Sequence, residues 1–190
     1  MLDTVLSNPV AMMIVASEAG LWVLLAAGLT ARYPLRLRAV GAALLWGIPL
    51  LDVALIVAAA IDLRRGAEPG VVHGLAAIYL GVSVAFGPAL VRWADIRFAH
   101  RFAGGPAPVK PPKGSRGRVA AAWREWSRVV LAAVIASAAL VLIVLTAADG
   151  AQAGELYWWI GRAWAVTGLW LVFGPVWEEL SALGRAEQRS

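Results

Sequence analysis

Five apolar runs dominate this 190-residue chain, at about 10–31, 39–61, 72–91, 129–148 and 156–177. Each is close to the roughly 20 residues a helix needs to cross about 30 Å of hydrocarbon. Lipid offers no partner to a free backbone N–H or C=O, so every crossing segment must be helical. The expected fold class is all-α, a polytopic membrane protein with five transmembrane helices forming a single membrane domain over residues 1–190. Composition agrees: 61% of the residues are hydrophobic, against roughly 45–50% in a soluble domain. The first run is not expected to be a cleaved signal, because "MLDTVLSNPVAMM" has no basic start and Glu18 interrupts the apolar stretch.

The basic residues orient the spans. Arg32, Arg36 and Arg38 follow the first run, nine Lys/Arg lie between 92 and 128, and Arg185 and Arg189 close the tail. Only Arg64, Arg65 and Arg162 of the 17 basic residues fall elsewhere. The positive-inside rule then puts the N-terminus outside and the C-terminus in the cytoplasm. The net charge of +5 is accounted for by this asymmetry and asks for no nucleic-acid partner.

Past the third span, "FGPALVRWADIRFAHRFAGGPAPVKPPK" turns basic and aromatic within the 92–128 cytoplasmic loop. As a helix it would place Arg97 and Arg101 on one face and Phe98 and Phe102 on the next. Such a helix suits the headgroup layer, aromatics toward the acyl chains and arginines toward anionic lipid. Asp95 is expected to pair with Arg92, three residues earlier. "GGPAPVKPPKG" then reads as a stiff extended linker. The alternative is a docking surface for a cytoplasmic protein or for a second copy of the chain.

An 87-residue offset aligns Phe86-Gly87-Pro88 with Phe173-Gly174-Pro175, and also Asp62, Glu68, Gly74 and Gly81 with Asp149, Glu155, Gly161 and Gly168. This suggests one helix followed by a parallel duplication of two helical hairpins. Ala77, Gly81, Ala85 and Ala89 recur every four residues, a groove that admits a neighbouring helix closely. The repeated prolines are expected to bend the third and fifth helices near the cytoplasmic face. The shared acids are read as solvating or capping helix ends.

Unshared polar residues within the spans are the candidate site. At 1.5 Å per residue, Glu18 lies roughly 12 Å, Asp52 roughly 13 Å and Arg162 roughly 9 Å from the outer surface. Tyr79 and Ser83 bracket the same level, and Trp22 lies one turn below Glu18. Each intramembrane charge costs a few kcal/mol on insertion scales, so charges at one depth are expected to compensate one another. Three readings follow: a structural ion-pair cluster, a wet outer cavity where Glu18 and Asp52 share a proton or hold a cation, or an anion or headgroup on Arg162. Among ten tryptophans, Trp22, Trp46, Trp164 and Trp170 are placed to line an interior cage. The rest sit near interfaces, where Trp is favoured. With no cysteine and two histidines, no metal site or cofactor is expected. His73 reads as a solvated interfacial residue.

The stretch "DLRRGAEPGVVHGLAAIYLGVSVAFGPALVRWADIRFAHRFAGGPAPVK", above all "HGLAAIYLGVS" and "RFAGGPAPVK", resembles small, uncharacterised bacterial integral membrane proteins of the YmcC type. The resemblance implies the bacterial cytoplasmic membrane and carries no substrate, cofactor or catalytic residue with it. Two function classes follow from the residues: a small proton- or cation-coupled transporter or channel-like protein working at the Glu18/Asp52 level, or a non-catalytic scaffold whose basic loop docks a partner. Nothing asks for an enzyme, since nucleophile–base pair, phosphate loop and HExxH are all missing. An Asp/Glu/Arg site acting on lipid is the one enzymatic form the pattern would allow.

Overall fold

A computed structural model describes residues 9–102, 104–112 and 114–187. All regular structure among them is helical. The order is α1 (Pro9–Arg32), α2 (Arg38–Arg64), α3 (Val71–Phe102), α4 (Arg116–Thr146) and α5 (Gly150–Leu171), then a π-helical turn (Val172–Val176) and α6 (Trp177–Glu187). By length and apolarity α2, α3 and α4 suffice to cross a bilayer, and α1 adds a shorter apolar stretch, Ala19–Arg32. Gln152, Glu155 and Arg162 interrupt α5.

Neighbours in sequence are neighbours in space: α1 packs on α2, α2 on α3, α3 on α4 and α4 on α5. Small residues make the seams. Gly28 and Gly41 bring α1 and α2 into backbone contact; a Cβ on Gly41 would sit 2.7 Å from the Gly28 carbonyl oxygen. In α3, Ala77, Gly81 and Ala85 are buried, and so are Ala132, Ala133 and Ala136 of α4. At Gly81 the two backbones meet, with the Ala132 carbonyl oxygen where a side chain would stand. Gly74 likewise leaves the space that the Trp159 indole fills. Larger residues form the core nearer the end that carries the α2–α3 and α4–α5 turns: Ile56 and Leu63, Leu140 and Ile143, and Leu156 with Trp159.

Polar contacts lock that end. Asp149 caps α5 by accepting the Gln152 N–H at 2.8 Å, and the Gln152 side chain accepts the Asp149 N–H in return, a capping box. The same Gln152 amide donates to the Leu63 and Ala67 carbonyls at 3.2 and 2.8 Å, tying α5 to the end of α2. Arg64 donates to the last carbonyl of α4, Thr146, at 3.0 and 2.6 Å.

Three expectations change. Helix α4 begins at Arg116, 13 residues before the apolar run at 129, because Ser115 caps it and "RVAAAWREW" is rich in good helix formers. The basic segment after Arg92 is no separate interfacial helix but the last turns of α3. At 32 residues that helix is about 48 Å long, so the turns after about Val91 lie beyond a hydrocarbon core of about 30 Å. The residues paired by the 87-residue offset also differ locally. Pro88 lies inside unbroken α-helix, whereas at Pro175 the chain widens to a π-turn and the Trp177 N–H reaches back to the Val172 carbonyl. Gly168, the counterpart of Gly81, has nothing within 4 Å of its Cβ position. Asp62 lies within α2, whereas Asp149 precedes α5 as its cap.

Candidate functional site

Asp52 is the one acid sealed within the described bundle, at 1% exposure. It sits 14 residues along the 27-residue α2, near mid-membrane if that helix spans. Ser83, 12 residues into α3, meets it: the Ser83 hydroxyl bonds Asp52 Oδ2 and also lies 2.8 Å from the Tyr79 carbonyl. A hydroxyl has one hydrogen to give. The Asp52 carboxyl oxygen and the Tyr79 carbonyl therefore share the Ser83 hydroxyl. The arrangement clasps α2 to α3 at Ser83, between the buried small residues Gly81 and Ala85.

Arg162, Trp22 and the Tyr79 ring do not join it. Arg162 is exposed and lies over the Trp158 and Trp159 rings, 4.7 and 4.8 Å from their centroids, a cation–π arrangement. Depth along a helix fixes nothing about azimuth. The buried face of α5 carries Gln152, Leu156, Trp159 and Thr167, and Arg162 falls beside it. The side chain of Glu18 lies outside the described residues. Tyr79 contributes its carbonyl while its ring is exposed, and Trp22, 66% exposed, faces outward. The interior cage of tryptophans does not form: Trp46 faces outward too, Trp164 donates to Ser137 Oγ at 3.1 Å, and Trp170 borders an open groove beside the linker.

His73 is buried rather than solvated. Its Nδ1 accepts the Gly70 N–H at 3.2 Å, leaving the other ring nitrogen 3.5 Å from Asp62 Oδ2, too long for a formed hydrogen bond. The ring thus closes the α2–α3 turn, and its neighbour Gly74 seats Trp159. Among the described residues no group of three or more His, Cys, Asp or Glu could hold a metal.

The opposite end of the bundle, where α1 and α3 end, carries contacts that local spacing did not reveal. Asp95 pairs not with Arg92 but with Arg32, at the end of α1, accepting Nε at 2.9 Å and the terminal nitrogen at 2.7 Å; Tyr33 adds a third bond at 3.0 Å. Tyr33 also stacks on Phe98 at 4.2 Å, and Phe98 meets Phe102 at 4.6 Å. Phe98 is therefore partly covered by protein, whereas Phe102 is 72% exposed. Arg97 lies over Trp93, and Arg97 and Arg101 are both exposed. No i, i+4 rule finds a pair 63 residues apart, though a lone Asp among arginines was a signal that one of them would claim it.

The Arg32 guanidinium, by hydrogen bonding, holds Asp95 below its ordinary value of 3.8 against the opposing effect of burial. A depressed carboxyl stabilises the fold above its unfolded pKa, and that contribution is lost as pH falls through the folded value. Asp95→Asn should therefore lower the detergent melting temperature by an amount that is constant at neutral and mildly acid pH. The gap between the two proteins should close only below the ordinary carboxylate value. A gap that closed near pH 6 instead would mean that Asp95 is not the titrating partner.

Geometry and relatives agree on the class of protein. No family model and no solved structure matches the chain. The chain is 32% identical over 183 residues, 92% of its length, to the "Uncharacterized membrane protein YmcC" of Bacillus subtilis (strain 168), covering 97% of that protein. At this identity, over nearly the whole of both proteins, the chain belongs to the YmcC family of membrane proteins.

Proposed function

We infer that the chain is an inner-membrane scaffold or accessory subunit that docks a cytoplasmic protein through the projecting end of α3 and the linker after it. In this reading the bundle crosses five times, N-terminus outside, with the basic loop and C-terminus in the cytoplasm. The observation that carries it is the brace at Asp95. Three hydrogen bonds from Arg32 and Tyr33, with the Tyr33–Phe98 stack, hold the last turns of α3 where they clear the bilayer. A helix end that only floated on lipid would need no such brace. What it presents is Arg97, Arg101 and Phe102, all exposed, and the extended residues 104–112. An aromatic anchor flanked by arginines suits an acidic protein surface with an apolar pocket.

A photo-crosslinking amino acid at Phe102 should give a discrete protein adduct in native membranes. Arg32→Gln, which releases the brace from a distance, should weaken that adduct several-fold while the protein still inserts. Crosslinks to lipid alone, unchanged by Arg32→Gln, would refute docking at this surface.

Proton-coupled transport is the second reading, favoured by Asp52 itself, a carboxyl near mid-membrane bonded to a hydroxyl. It would require α2 and α3 to part so that water reaches a group now 1% exposed. The two cavities at the cytoplasmic end include no residue of the clasp in their linings, which favours the scaffold.

A further inference from the structure

A groove of about 720 Å³ runs between α4, α5 and the linker at the cytoplasmic end of the bundle. One wall is Ala121 and Ala122 of α4, small enough to leave space; the other is Val166, Leu169, Trp170 and Phe173 of α5 and its π-turn. The groove shares Arg118 and Glu178 with a polar pocket of about 280 Å³, which adds Trp177, Ser181 and Arg185. Arg118 Nε donates to Glu178 at 2.7 Å and Arg185 Nε to the Ser181 carbonyl at 3.0 Å. A guanidinium carries five N–H groups, so each has donors beyond these bonds. With Lys110 at the rim, three cationic side chains face Glu125 and Glu178, and Glu178 is already engaged.

The two spaces form one amphipathic slot. From Val166 to Glu178 is 12 residues, about 18 Å along a helix. One leaflet of hydrocarbon is about 15 Å, half of the full core. The apolar end therefore lies at acyl-chain depth and the arginines at headgroup depth, on the side the basic loop assigns to the cytoplasm. Paired guanidinium groups recognise phosphate well.

We propose that this slot binds one anionic glycerophospholipid of the inner leaflet, its phosphate between Arg118 and Arg185 and one acyl chain against Trp170 and Phe173. The site is separate from the α3 surface on which docking rests, so either can fail alone.

The test is native mass spectrometry of the intact protein released from vesicles of phosphatidylglycerol and phosphatidylcholine in equal amounts. Wild type should retain one phosphatidylglycerol several-fold over phosphatidylcholine. Arg185→Gln, which leaves the Arg118–Glu178 pair intact, should remove that preference. Ala122→Trp, which fills the apolar end, should lower retention of both lipids. Arg36→Gln/Arg92→Gln, equally cationic and on the same side but outside the slot, should retain phosphatidylglycerol as wild type does. Circular dichroism of each variant confirms that the helices persist. Equal retention of the two lipids by wild type, or equal loss in the Arg36/Arg92 variant, would overturn the proposal. So would displacement of the bound lipid by inorganic phosphate at low millimolar concentration, which would mark a soluble anion as the occupant.

Discussion

Gly81→Leu should prevent α3 and α4 from assembling, and Gly81→Ala should already destabilise the bundle by about 1–3 kcal/mol, the usual range for overpacking. The reason is that Gly81 faces backbone, not side chain. The carbonyl oxygen of Ala132 occupies the place of its Cβ, and a carbonyl within a helix has no rotamer with which to yield. Membrane helices have little hydrophobic drive to associate, so close packing of small residues supplies most of the affinity, and a separated seam loses it along its length. Gly168→Ala is the internal comparison. It lies at the matching position of the 87-residue offset, has nothing within 4 Å of its Cβ position, and should be neutral or slightly stabilising through helix propensity. Thermal unfolding in detergent distinguishes them; equal effects at the two glycines would mean that the α3–α4 contact is looser than described.

Ser83→Ala should destabilise by about 1–3 kcal/mol, the cost of leaving a buried polar group unsatisfied. The partners are not equivalent. Without Asp52, Ser83 still donates to the Tyr79 carbonyl at 2.8 Å. Without Ser83, the Asp52 carboxyl loses the only side-chain partner it has among the described residues. Ser83→Ala should therefore be worse than the double variant Asp52→Ala/Ser83→Ala, giving a positive coupling in a double-mutant cycle. Asp52→Asn should be close to wild type, because the amide oxygen can still accept from Ser83 Oγ. If Asp52→Asn were as damaging as Ser83→Ala, the bond to Ser83 would not be what Asp52 contributes.

Those two residues show what the sequence could and could not convey. Asp52 was legible as lying at the level that Tyr79 and Ser83 bracket, because rise per residue is fixed in a helix, but the pairing itself was not. Arg162 was legible as a residue near that depth and no more. Whether it turned toward Asp52 or toward Trp158 and Trp159 depended on the azimuth of α5, set by the seating of Trp159 on Gly74. The α3 stripe at Ala77, Gly81 and Ala85 was readable as a close helix contact, since few other causes produce small residues at that spacing in lipid. Its partner on α4 was not. The long start of α4 was hidden because charge made residues 116–128 look like loop, while capping and alanine content made them helix. The Arg32–Asp95 pair needed the tertiary structure, as a contact between the ends of α1 and α3 leaves no local periodicity. His73 misled for a related reason: its polarity suggested solvent, but the Gly70 N–H satisfies one ring nitrogen inside the turn.

Asp52 is a clasp between α2 and α3, and on the scaffold reading the protein works through the basic end of its bundle rather than through that carboxyl. Pure protein reconstituted in liposomes, with an imposed pH gradient and an enclosed pH-sensitive dye, tests this most directly. Wild type and Asp52→Asn should dissipate the gradient at the same rate as protein-free liposomes. A faster, protein-dependent proton flux in wild type that disappears in Asp52→Asn would contradict the scaffold reading and make Asp52 a transport residue.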